Sequence, residues 1–133
     1  MIVADTNLVV YGVLPGERAP AADAVRHRDA VWVAPPLAAS EILNVLATHV
    51  RTGRLHRDQA RDAYAAARDL LRLASPDPLD ALDLAADRGL SGYDAEFVAL
   101  ARSLGVPLVT DDRRILQACP DLAVALDAFA TGP

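Results

Sequence analysis

Asp5, Glu41, Asp94 and the Asp111-Asp112 pair are acidic side chains set where strands should end or helices begin. Asp5 closes the short apolar run Ile2-Val3-Ala4, and Asp112 follows a second run, Leu108-Val109-Thr110, near the other end of the chain. In an open α/β sheet, chemistry gathers at the carboxyl ends of the strands. If these two strands are neighbours, their aspartates project into one crevice. Carboxylates held close together raise one another's pKa, so the cluster needs a cation. A hard divalent ion, Mg²⁺ or Mn²⁺, takes oxygen ligands and meets that need. The chemistry such a set points to is that of a bound divalent metal ion, which reverses the local sign of charge.

Each acid also has a plain structural role. Asp5 in Ala4-Asp5-Thr6-Asn7 could serve only as a turn former. Asp94 suits the first turn of a helix, where the macrodipole favours an acid, and Ser91 three residues earlier suggests an approximate capping box. Glu41 sits among small and apolar residues on a narrow polar face that it shares with Asn44 at i+3. One of Asp111 and Asp112 is expected to cap a short helix while the other faces the crevice. Convergence from separate segments carries more weight than any one residue.

Other chemistries find less support. Cys119 is the single cysteine and His27, His49 and His56 are scattered, so no zinc spacing exists. No glycine-rich phosphate loop and no Ser/His/Asp arrangement is present. A haloacid-dehalogenase-type site wants Asp-x-Asp, but Asn7 stands at the second position. A receiver domain relies on a lysine, and all 13 basic residues here are arginine. A non-catalytic module that uses the acids to bind a basic peptide is the other alternative.

The 133 residues and 53% hydrophobic content describe one domain, 1–133, with ample core material. A lone cysteine, no bilayer-length apolar stretch and no basic leader before Asp5 fit a cytoplasmic protein. The net charge of −5 argues against diffuse attraction to nucleic acid, although a bound cation reverses the sign locally.

Short β-type runs alternate with longer helical ones, the pattern of a parallel sheet covered on both faces. Strands are predicted at Ile2–Ala4, Val31–Ala34, Leu73–Ser75 and Leu108–Thr110, with an edge strand at Ala123–Leu126. Helices are predicted over about Ala19–His27, from Leu37 to Thr52-Gly53, and over His56–Leu71, Leu79–Asp87, Asp94–Leu104 and Arg113–Ala118. Gly105 with Pro107 just beyond marks a helix end. Ile42, Leu43, Leu46 and Val50 recur at helical spacing on the second of these helices. Arg54, Arg57, Arg61, Arg68 and Arg72 form a basic stripe, read first as a solvated face braced by Asp58, Asp62 and Asp69. Arg113 and Arg114, beside the acids, are better phosphate contacts.

Ala4-Asp5-Thr6-Asn7, Ser40-Glu41, Tyr93-Asp94-Ala95 and Leu108-Val109-Thr110-Asp111-Asp112, in that order and spacing, resemble the PIN domain over essentially the whole chain. The small size is similar to the VapC-type toxins of bacterial toxin–antitoxin pairs. The resemblance implies a three-layer α/β/α fold with a central four- to five-stranded parallel sheet of order 3-2-1-4-5. It places the fourth acid on Asp112 through the pattern Thr-x-Asp, with Asp111 at the variable position as an outer-sphere or substitute ligand. Thr6, Asn7 and Thr110 become polar support. It further implies Mg²⁺- or Mn²⁺-dependent endoribonuclease activity on RNA, a homodimer, and inhibition by a cognate antitoxin.

Overall fold

The computed structural model describes residues 1–132. Its elements are β1 (Ile2–Ala4), α1 (Thr6–Val13), α2 (Ala19–Arg28), β2 (Trp32–Ala34), α3 (Leu37–Arg51), α4 (Arg57–Leu70), β3 (Leu71–Leu73), α5 (Pro78–Arg88), α6 (Gly92–Leu104), β4 (Leu108–Val109), α7 (Arg113–Ala118), β5 (Ala123–Val124) and α8 (Leu126–Thr131). The strands form one parallel sheet in the order β3-β2-β1-β4-β5.

β1 is central, and every one of its residues is buried, as expected for a parallel strand covered on both faces. Its register against β2 pairs Ile2 with Trp32, and against β4 it pairs Ala4 with Val109. The chain passes from β1 to β2 on one side and returns to β4 on the other. A crevice therefore opens between the carboxyl ends of β1 and β4, the topological switch point. Helices α1, α3 and α4 pack together, while α6 packs on β1 and β4 with α5 outside it. α3 buries Ala38, Ile42 and Leu46. Gly105 ends α6 in the left-handed region at φ 65°, where a side chain would be strained.

The predicted sheet order is found. Four local expectations are corrected. α1 lies where the pattern predicts no element, because Leu8, Val9 and Val10 are all buried and a helix covered on several sides shows no polar face. β3 comes two residues earlier than predicted, directly after α4, because pairing with β2 sets it at Leu71–Leu73. Leu126 opens α8 instead of ending an edge strand, since β5 stops after pairing Ala123 and Val124 with β4. Leu43, expected on the apolar face of α3, is 57% exposed.

Candidate metal centre

Asp5 leaves β1 and caps α1, its Oδ1 accepting from the Thr6 amide at 2.8 Å. Its Oδ2 accepts from the Thr110 hydroxyl at 2.5 Å. Thr110, fully buried after β4, uses the same oxygen to accept from the Asp112 amide at 3.0 Å. One hydroxyl thus ties the ends of β1 and β4 together across the switch point. Asp112 caps α7, Oδ1 accepting from the Ile115 amide at 3.1 Å, and also faces the crevice. The expected division of labour between Asp111 and Asp112 does not occur; Asp112 does both jobs.

Glu41 lies one turn into α3, and its Oε1 accepts from the Thr6 hydroxyl at 2.9 Å. Asp94 stands in the first turn of α6, where Ser91 caps the helix by accepting from the Asp94 amide at 3.0 Å. Asp5, Glu41, Asp94 and Asp112 all line one open cleft of about 420 Å³. Thr6, Asn7, Ser40, Asn44 and Tyr93 contribute to the same walls. Ser40 and Tyr93 were not singled out by their own chemistry; adjacency to Glu41 and Asp94 is the one signal that could have found them.

Asp111 is not brought to the cleft. Its Oδ2 pairs with Arg18 at 2.5 Å and its Oδ1 accepts from the Leu126 amide at 3.2 Å, so both oxygens are engaged on the α2–α8 side. The basic stripe is not one helical face either. Arg57, Arg61 and Arg68 are exposed on α4, but Arg54 precedes the helix and Arg72 lies in β3. Arg113 and Arg114 are exposed next to Asp112.

The electrostatics follow from burial and crowding. Burial raises Asp5 above the ordinary aspartate range, and the charges of Asp94 and Asp112 add to this, while Thr110 and Thr6 oppose it. Glu41 is raised by burial and then by Asp5 and Asp94, against the Thr6 hydrogen bond. Asp94 is raised by burial and by Asp112, with Arg114 pulling the other way. Among the described residues no three such side chains already close on a point as a finished metal site. They border one cleft, all offer oxygen, and three hold protons more tightly than usual. A hard divalent cation fits that donor set.

The PIN-domain family profile matches residues 2–119. The chain belongs to the PIN-domain family, and within it is of the VapC type. It is 29% identical over 126 residues to the ribonuclease VapC3 of Pyrobaculum aerophilum, covering 91% of this chain and 96% of that one. It is 35% identical over 99 residues to the exonuclease VapC9 of the same organism, covering 69% of each. The crystal structure of PAE2754 from Pyrobaculum aerophilum superposes with a TM-score of 0.77 at 26% identity, over 98% of this chain and 96% of that one.

Proposed function

We propose that the protein is a Mg²⁺- or Mn²⁺-dependent endoribonuclease and the toxin of a toxin–antitoxin pair. The observation that carries this reading is the convergence of Asp5, Glu41, Asp94 and Asp112 on one cleft at the ends of β1 and β4. The names of its relatives, one a ribonuclease and one an exonuclease, support nuclease chemistry.

Asp5, Asp94 and Asp112 would hold the cation, and Glu41 would complete the acidic set. When bound, the ion supplies Lewis-acid polarisation of a phosphoryl oxygen and a more acidic water. Thr110 fixes the carboxylate of Asp5 and the backbone of Asp112, so the two strand ends move as one. The Thr6 hydroxyl does the same for Glu41. Arg113 and Arg114 take flanking phosphates, which position the strand without reading its sequence. Among the described residues the cleft is lined by carboxylates and neutral polar groups and by no histidine, and the carboxylates are the groups placed to move a proton to or from water there.

The proposal includes a cognate antitoxin and a second copy of the chain. Leu43, Leu79 and Leu82 are large, exposed and apolar, and supply surface for such contacts. Among the described residues no helix is long and apolar enough to cross a membrane.

Partner-free protein should cleave RNA with Mn²⁺ or Mg²⁺, and Asp5→Asn should abolish cleavage while keeping the fold. Full activity in that variant, or in excess EDTA, overturns the proposal.

A further inference from the structure

A second cavity of about 380 Å³ adjoins the acidic cleft, with Asn7 and Val45 belonging to the walls of both. Its far end is built by Tyr11, Arg18 and His49. The continuity has a helical cause. On α1, Asn7 and Tyr11 are one turn apart on one face, and on α3, Glu41, Val45 and His49 follow at i, i+4 and i+8. The two helices pack side by side, so their rows form the walls of a trough. It runs from Glu41 to His49, about 12 Å at the helical rise per residue.

We propose that this trough is a subsite for a nucleobase of single-stranded RNA, adjacent to the phosphate bound at the acidic cleft. The proposal rests on the nuclease reading above.

Three features favour a base over a phosphate. Arg18 is already paired with Asp111 and Asp127 and sits over the Tyr11 ring at 5.9 Å, so its charge is largely matched within the protein. What it offers is a planar guanidinium held in place, and unpaired bases stack on such planes and on aromatic rings. His49 contributes edge recognition. Its Nδ1 lies 2.8 Å from the Val45 carbonyl, which can only accept, so Nδ1 carries the hydrogen. In the neutral ring Nε2 is then an acceptor, suited to an exocyclic amino or ring N–H group. Asn7, exposed at the mouth, adds an amide able to donate and accept. The pinned wall also reaches the metal side, since Asp111 precedes Asp112.

The test uses the full chain and a short single-stranded RNA that the wild type cleaves, together with versions carrying one abasic nucleotide at successive positions flanking the cut. Removing one particular base should raise KM roughly tenfold while kcat holds, the loss expected for one stacked base. His49→Ala should show the same rise on intact RNA and no further rise on that abasic RNA. Anisotropy of the labelled RNA on Asp5→Asn protein, with and without His49→Ala, should show the same weakening without turnover. If His49→Ala does not fold, His49→Leu, which fills similar space without an acceptor, is read in the same way. A wild type that cleaves RNA, with a flat abasic profile or with equal KM in the His49 variant, overturns the subsite and leaves the nuclease reading intact. A wild type that cleaves no RNA removes both.

Discussion

Replacing Thr110 by valine keeps shape and volume but deletes the hydroxyl that joins the two strand ends. Thr110 is 0% exposed, donates to Asp5 Oδ2 at 2.5 Å and accepts from the Asp112 amide at 3.0 Å. The first bond involves an ionisable carboxylate and the second satisfies an amide at a helix start. Together their loss should cost about 2–4 kcal/mol, allowing Asp5 to turn partly to cleft water. For a chain of this size that corresponds to roughly 7–14 °C in melting temperature. Losing its donor also drives Asp5 further toward the protonated form, since Thr110 is the leading influence holding its pKa down. Removing such an outer partner of a metal ligand weakens metal binding about 10–100-fold. Thr110→Ser retains the hydroxyl and should restore Mn²⁺ affinity, leaving a packing loss of about 1 kcal/mol. Calorimetric Mn²⁺ titration of the three proteins, alongside thermal melts, separates the two effects. Wild-type Mn²⁺ affinity in Thr110→Val, or a serine variant as impaired as the valine one, would refute the reasoning.

Two further outcomes are expected. Asp5, Glu41 and Asp94 hold protons more tightly in the folded chain than at their ordinary values of 3.8, 4.5 and 3.8. Their contribution to stability is full below those values and is lost as pH rises through the raised folded ones. In EDTA the melting temperature should therefore gain less, or fall, on going up from about pH 4, and Asp5→Asn should flatten that trend; Mn²⁺ should stabilise most at neutral pH, where it does not compete with protons. An Mn²⁺ effect independent of pH would count against the linkage. Replacing Arg113 and Arg114 by glutamine should lower the salt slope of RNA binding by about 1.4 for two lost phosphate contacts on a single strand. An unchanged slope measured by anisotropy would remove them from the RNA path.

The acids at β1 and β4 were legible because each ends a short buried run, and strand ends in such a sheet are where side chains reach solvent together. Asp94 was legible as a position but not as a partner, since a helix start explains an acid equally well, and Glu41 was legible only as part of a narrow polar face on α3. What brings Glu41 in is Thr6, 35 residues away in sequence, and a contact of that kind leaves no local trace. Asp111 shows the same limit: its pairing with Arg18 spans 93 residues and turns it from the cleft. α1 stayed hidden for a different reason. Leu8, Val9 and Val10 are buried together in a helix packed against α2, α3 and α4, so the periodicity that reveals a surface helix is missing. The trough toward His49 is visible only once α1 and α3 are set side by side.

The most direct measurement is an anomalous-scattering map from a crystal of the partner-free protein soaked in Mn²⁺. The account predicts manganese in the cleft bounded by Asp5, Asp94 and Asp112, with Glu41 beside it, and its loss in Asp5→Asn. Manganese bound elsewhere, or an empty cleft at millimolar Mn²⁺ and neutral pH, would contradict it.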